Sequence, residues 1–567
     1  MAAVVSHSNA LLVTLFMAFL SHMKYRKHEP TSVTPVLLSI LGLSVPSTLL
    51  LVPYYPNSPT KAFLLAVVTF STGLLGCISF YRLSTLHPLA HYPGPIQCRL
   101  TKLWGAWIAL DGQPHVYYKR LHDQYGPIVR VGPNELSIID ASMIPTVLGS
   151  NGMPKGPMWA GRRILPSKNH SAHNSLTAVR NFRRHAELRR PWNNAFRPSS
   201  VEGFTEMMVK RVDQLVEVLK ERASATKGGR GIDLALWLNY FTFDFMGDLA
   251  FGGVYSFMED GDIQGILPVM RRGIFVPSIS QHVPWAVGLV HLVPFIGSNT
   301  LALARFGIEQ AKKRVELTSS ILRKDLFYYL FESVESQSTA DPSLVLKKSV
   351  SSSLLVIVAG SDTTAAVLSN VFYYLLSHPE YYQRLREEID ALFPFTDANS
   401  SPVDVKAMNG LHLLNAVINE ALRLQPPIPT SLQRAPAVGG GPKVLSDEIT
   451  IPEGTAVVIS PYVIHRSPHY FSPNPDKFWP ERWISQDPGI ITDRSAFIPF
   501  STGQANCPGK PLAIVQLRYT IASIVRAFDA EFADGYDAAR WEKELQDRYV
   551  VVKGELPVKL TSRKMEP

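Results

Sequence analysis

The sequence predicts a mainly α-helical body with a small β-sheet region, carried behind an N-terminal helical membrane anchor. Three observations predict it. Two or three long uncharged apolar runs occupy the first eighty residues, apolar residues recur at helical spacing over most of the remainder, and only two patches alternate as strands do.

The anchor comes first in the chain. Ala62 to Tyr81 is twenty residues without a charge, long enough to cross about 30 Å of hydrocarbon. Val36 to Val52 is shorter and carries Pro46, so it reads as a span in which neighbouring helices or Ser and Thr side chains satisfy the freed carbonyl. Ala10 to Leu20, flanked by His7, Asn9 and His22, reads as a further span, an uncleaved signal segment or an interfacial helix. The cations Lys24, Arg26, Lys27 and Arg82 belong on the cytosolic side by the positive-inside tendency. Three crossings with an outside amino terminus satisfy this, and a two-span hairpin also leaves the body in the cytosol. The expected organisation is an anchor over 1–86, a proline-stiffened hinge over 87–95 and a cytosolic domain over 96–567.

Composition limits the function classes. Apolar residues make up 46% and charged residues 18% of the 567 residues, which excludes a disordered chain. Cys77, Cys98 and Cys507 are the only cysteines, too few for a disulfide framework or a four-thiolate zinc site. A net charge of +9 suits an anionic membrane surface or an acidic protein partner. No basic tract interleaves with aromatics, so nucleic acid is not an expected partner.

In the body, Pro127 to Ile139 alternates and is broken at Gly132-Pro133, and Ile449 to Ser460 reads as two short strands around Pro452-Glu453-Gly454. Val438 to Lys443 is glycine-rich, but no Ser or Thr follows the lysine and no helix opens there, so it is a loop and not a phosphate cradle. Asp341 to Ser377 predicts a long helix capped by Asp341 and opened by Pro342. Its centre is apolar enough to pass for a membrane span, yet it contains Ala359-Gly360-Ser361-Asp362-Thr363-Thr364, and an unpaired carboxylate there would cost several kcal/mol. The functional reading is a core helix that opens locally. Gly360 gives room for a ligand, Thr363 hydrogen-bonds backward, and Asp362 relays protons through water.

Leu411 to Pro427 reads as a helix stopped by paired prolines, with Glu420 and Arg423 three apart on one face. Alone, that spacing describes any exposed ion pair. Phe497 to Lys510 reads as a glycine-bearing loop leading into a helix over Pro511 to Phe528, which puts Cys507 at a helix amino terminus where a thiolate is stabilised. A nucleophile, a metal ligand and an inert buried thiol all remain open at this point.

The ordered set of motifs carries a family resemblance. Phe500-x-x-Gly503-x-x-x-Cys507-x-Gly509 resembles the haem-binding loop of the cytochrome P-450 superfamily, the haem-thiolate monooxygenases. Ala359-Gly360-x-Asp362-Thr363-Thr364 resembles its oxygen-activation stretch, Glu420-x-x-Arg423 with Arg482 resembles its proximal brace, and Ile451 to Pro468 resembles the hairpin between them. The similarity runs from about Pro93 to the end. It implies haem b with Cys507 as the iron ligand, Phe500 near the sulfur, Gly503 close to the porphyrin, and Asp362 and Thr363 as the catalytic pair. His185 and Arg189 match the early helix that crosses a propionate, where Trp and Arg are more usual, and Arg434 matches a further propionate partner. Ala505 departs from the pattern, which usually has Arg or His there, so one propionate contact is missing or supplied elsewhere.

The resemblance further implies a fungal-type microsomal enzyme of the endoplasmic reticulum. It would take electrons from NADPH through NADPH–cytochrome P-450 reductase, with cytochrome b5 as a second donor, and oxidise a lipophilic molecule such as a terpenoid or another secondary metabolite. Ile274 to Gly297 resembles a membrane-dipping entrance region, with a buried loop as its plain alternative. Two other function classes stay in view. One is a haem-thiolate isomerase or dehydratase that needs no external electrons, against which the Asp362-Thr363 pair speaks; the other is a membrane haem-binding protein without catalysis.

Overall fold

The computed structural model describes residues 6–27, 32–162, 176–225, 231–253, 255–290, 294–316, 324–335, 352–353, 355–394 and 404–563. The amino-terminal apolar runs form three helices, His7–Lys27, Val33–Leu51 and Pro59–Leu83. The third packs on both others, and small residues set the fit: a Cβ at Gly73 would meet Leu15 and Ala18. Val33–Tyr54 and Pro59–Leu83 are long and apolar enough to cross a membrane; His7–Lys27, ending in Lys24, Arg26 and Lys27, is not among such helices. Leu355–Ser377 also has the length and apolarity of a span, but 72% of its most apolar stretch is buried inside the protein, so it is a core helix.

The segment His87 to Pro95 packs against the body. Arg82 Nη1 donates to Leu100 O at 2.6 Å, and the Arg130 amide donates to Pro93 O at 2.7 Å. Ile128–Gly132 and Glu135–Ile138 form an antiparallel pair, Glu135–Ser137 runs parallel to Ala456–Val458, and Leu432–Arg434 closes the four-stranded sheet. The two strands around Pro452-Glu453-Gly454 do not pair with each other. Ile449–Ile451 pairs with Lys443–Ser446, whereas Ala456–Ile459 enters the larger sheet, so the expected hairpin is two separate contacts. A second sheet of Phe528–Phe532, Pro557–Ser562 and Ile232–Asp233, not expected from the sequence, ties the end of the cysteine helix to the start of Leu234–Phe251.

The body is otherwise helical. Its main core gathers the inward faces of Pro198–Ala225, Leu234–Phe251, Thr363–Ser377, His412–Leu424 and Lys510–Ala527. Local rules explain the ends: Leu234–Phe251 stops at Gly252 in the left-handed region, His412–Leu424 stops before Pro426 and Pro427, and Pro511 sits in the first turn of Lys510–Ala527. The expected helix start at Asp341 and Pro342 lies outside the described residues. The described part of Ile274 to Gly297 holds the end of helix Ile266–Ser280, a turn with buried Gln281, His282 and Val283, short helical turns over Pro284–Ala286 and Val287–Val290, and the start of helix Pro294–Glu316, with Phe275 and Ile296 exposed.

A chain lacking residues 1–86 is expected to be released from membranes by alkaline carbonate, while the full chain stays in the pellet. Retention of the shortened chain would put the firm membrane contact in the body instead.

Candidate active site

Cys507 closes a tight loop: its amide donates to Phe500 O at 2.9 Å, and Ser501 and Gly503 take positive φ angles of 56° and 70°. A Cβ at Gly503 would lie 2.2 Å from Leu148 O and 2.3 Å from Gly149 C, so only glycine lets this turn meet that backbone. The sulfur lies three residues ahead of helix Lys510–Ala527 and accepts from the Gly509 and Lys510 amides. Burial still pushes the Cys507 thiol up from its ordinary value, against the downward pull of those amides, Arg189 and Lys510. The amides at the helix start do pull the thiol down as expected, while desolvation of the charged sulfur outweighs them. Although deep in the molecule, Cys507 is exposed, because it faces an interior space.

Across the core, the central helix widens to π-helical hydrogen bonding over Val358–Asp362 before the α-helix Thr363–Ser377. Thr363 Oγ1 donates back to Ala359 O at 2.7 Å, and Ala359 is exposed in the middle of this core helix. The clearance at Gly360 is not free for a ligand. A Cβ there would lie 2.5 Å from Met246 Cε, so the glycine admits a core methionine, and Ala359 faces the open side. Burial raises the Asp362 carboxyl, with Lys553 and then Arg271 pulling it down. Lys553, itself buried, donates to Asn239 Oδ1 at 2.8 Å, and burial pushes its ammonium down to about 8.

Glu420, Arg423 and Arg482 meet in a fully buried knot. Glu420 takes two bonds of 2.8 Å from Arg423, one of 3.0 Å from Arg482 Nε, and 2.9 Å bonds from the Trp479 amide and the Trp483 indole. Arg423 also donates to the carbonyls of His465, Pro475 and Lys477, and Arg482 to those of Pro473 and Asn474. The His465 ring completes the chain: Nε2 accepts from the Ile498 amide at 2.9 Å, so Nδ1 carries the proton and donates to Arg423 O. Burial, reinforced by Arg423, holds that imidazole neutral, at about 3.

Beside the cysteine loop lies a pocket lined by Lys155, Arg180, His185, Arg434, Gln504 and Ala505 among others. Lys155 and Arg434 are bridged neighbours in the backbone, Lys155 Nζ donates to Leu176 O at 2.6 Å, and Arg180 Nε donates to Lys155 O at 2.8 Å. Among the described residues none of these cations has a carboxylate partner at ion-pair distance, although Lys155 and Arg434 are buried. Burial and then the neighbouring cations push Lys155 well below its ordinary value, and the same causes bring His185 to about 4. Such a pocket fits an anion better than any group it contains. Arg189 does not line it: its guanidinium holds Asn506 through O at 2.5 Å and Oδ1 at 2.7 Å, next to Cys507.

Lys155, Arg180, His465 and Lys553 were not singled out from the sequence. The signal for Lys553 is a lysine closing the run Val550-Val551-Val552; for Lys155, in a loop, no local signal exists.

The arrangement defines a protein that presents one exposed thiol beside a cationic pocket and carries an acid and an alcohol at the widened turn of its central helix. A family profile described as Cytochrome P450 matches residues 93–561. The chain is similar to cytochrome P450 monooxygenase phqL of Penicillium fellutanum, 31% identical over 537 residues that cover 94% of this chain and 90% of the relative. It is also similar to cytochrome P450 67 of Uromyces fabae, at 30% over 94% of this chain and 95% of that one. Tryprostatin B 6-hydroxylase of Aspergillus fumigatus is 29% identical over 88% and 85%. The chain belongs to the cytochrome P450 family and is a monooxygenase of it, a class built on haem iron.

Gly503→Ala is expected to lower stability by about 2 kcal/mol or more, because strained φ and a backbone clash coincide. Urea unfolding checks it, and an unchanged midpoint would mean the loop is not wedged against Leu148 and Gly149.

Proposed function

We propose that this chain is a microsomal haem-thiolate monooxygenase that inserts one oxygen atom of dioxygen into a lipophilic small molecule, using NADPH electrons delivered by a reductase. One observation carries the reading: Cys507, the one exposed thiol, sits in a tight glycine-bearing loop at the entry of helix Lys510–Ala527, in a chain whose central helix widens at the turn bearing Asp362 and Thr363. Bound haem b would supply reductive activation of dioxygen, with a cysteine sulfur pushing electron density onto iron.

The chain's own residues have distinct tasks in this reading. Cys507 Sγ is the iron ligand, with Phe500 beside it and Gly503 keeping the loop close. Lys155, Arg180, Arg434 and neutral His185 take the two propionates, and the first two stand in for the contact absent at Ala505. Arg189 holds the loop through Asn506 and so positions the sulfur. Glu420, Arg423 and Arg482 brace the proximal side. Asp362, raised by burial, can hold a proton on its carboxyl and pass it on, while Thr363 Oγ1, fixed on Ala359 O, holds the helix open for water.

Residues 1–86 serve as a multi-pass anchor in the endoplasmic reticulum, 87–95 as the exit segment and 96–567 as the cytosolic catalytic domain. The apolar helices and the cations Lys24, Arg26, Lys27 and Arg82 support this. The net charge of +9 suits an acidic reductase, with cytochrome b5 as a second donor. Fungal relatives, one of them named a tryprostatin B hydroxylase, support a terpenoid or another secondary metabolite as substrate.

Microsomes holding the full chain and a reductase test the proposal. The reduced carbon-monoxide complex should show the red-shifted Soret band of a thiolate haem, and a lipid extract should yield oxygenated products that require NADPH. Cys507→Ser should lose both, whereas a thiolate spectrum in that variant, or products formed without NADPH, would contradict the reading.

Asp362→Asn should fold, yet lower product per NADPH by about a hundredfold with more peroxide released. Because the folded carboxyl titrates above its ordinary value, its contribution to stability is present below the usual carboxylate range and is lost as pH rises through the folded value. The variant should therefore gain stability relative to the parent across that window, as thermal unfolding at several pH values would register.

A further inference from the structure

Arg162 ends the short helix Met158–Gly161, deep in the protein yet half-exposed towards the interior. Its guanidinium lies over two aromatic rings, 4.2 Å from the Trp159 ring centre and 5.2 Å from that of Tyr549. Nε donates to Gln281 Oε1 at 2.8 Å, and Nη2 reaches Ser431 O at 3.4 Å and Met158 Sδ at 3.6 Å. Every one of these partners is neutral. Nη1 has no partner among the described residues.

The setting is built rather than incidental. A Cβ at Gly161 would lie 2.5 Å from Gln281 Cα, and Ser280 Oγ donates to Gly161 O at 2.7 Å, so the turn carrying Arg162 is seated directly on the segment carrying Gln281. Gln281 is 4% exposed and its amide nitrogen is committed to Ser278 O. Asp547, the carboxylate whose charge reaches Arg162, is bonded by Thr430 Oγ1 at 2.5 Å and the Tyr549 amide at 3.0 Å and makes no ion pair with Arg162 among the described residues. Tyr549 leads into Val551–Val552, which packs against helix Thr363–Ser377, so the cluster lies on the side of the central helix that follows Asp362. Arg271 and Lys553 share that side.

We propose that Arg162 is a specificity-determining residue that binds an sp² oxygen of the substrate, a carboxylate or an amide carbonyl, through Nη1. A flat, desolvated cation that lies over two rings and is hydrogen-bonded to neutral groups along one edge gains most from such an acceptor at its remaining edge. Tyr549 and Trp159 keep the fork from turning away. The substrate would thus be amphiphilic, its oxygen on Arg162 and its apolar part directed at the reacting centre. This deepens the functional proposal above and rests on it only for the identity of the reacting centre.

Equilibrium dialysis of the purified full-length holoprotein against decanoic acid, decanamide and decane, without NADPH, tests it. The two acceptor-bearing probes should bind at least about tenfold more tightly than decane, and Arg162→Met should remove that preference while decane binding stays within about twofold. The acid and the amide separately show whether charge is required. Equal binding of all three probes to the parent, or an equal loss of all three in the variant, would make Arg162 a structural staple and overturn the proposal. Arg162→Lys guards against misfolding: it keeps the cation and should retain part of the preference for the acid. Binding without turnover would count against monooxygenation and leave this assignment standing.

Discussion

A carboxylate with no exposure to solvent, holding two guanidinium groups that are equally buried, is the interaction on which the segments leading to the cysteine loop depend. Glu420 cannot be satisfied by its own helix. It draws in Arg482 and the amide and indole of a segment about sixty residues away, and Arg423 fixes the carbonyls of the intervening chain. Removing one member of such a knot leaves the others charged and desolvated, at a cost of about 3 to 5 kcal/mol. The knot does not stop at the ion pairs. Through His465 it reaches Ile498, so the approach to the cysteine loop is held by the same network.

Charge elsewhere in the interior is arranged with less compensation. Lys155 and Arg434 are buried beside His185 without a carboxylate among the described residues, and burial raises both the Cys507 thiol and the Asp362 carboxyl. Each of these departures has the same cause, the loss of water around a charge, and each lies where a bound group or a proton would restore the balance. The fold carries this because the packed helices around it, and the second sheet closing on Phe528, leave few ways for the site to relax.

Much of the site was legible because its signals are local. Glu420 and Arg423 share a helix face by spacing alone, Pro511 and Gly503 mark a loop entering a helix, and a lone cysteine at that junction stands out in a chain with three. The central helix was legible as a core element because an acid and three hydroxyls interrupt its apolar run. What was not legible depends on distant partners. Lys155 acquires meaning only when folding sets it beside Arg434, Lys553 when its strand end meets Asn239, and His465 when a loop amide reaches its ring. A sequence cannot show that Met246 fills the clearance at Gly360, and alternation says nothing of which neighbour each short strand near Glu453 will choose.

The buried Glu420 knot holds the cysteine loop in place through His465. Hydrogen–deuterium exchange of the full chain, compared between the parent and Glu420→Gln, measures it most directly. Faster exchange is expected across Phe497 to Lys510 and at the Trp479 amide, with the later turns of Lys510–Ala527 still protected. Unchanged exchange in that loop, in a variant that is otherwise folded, would contradict it.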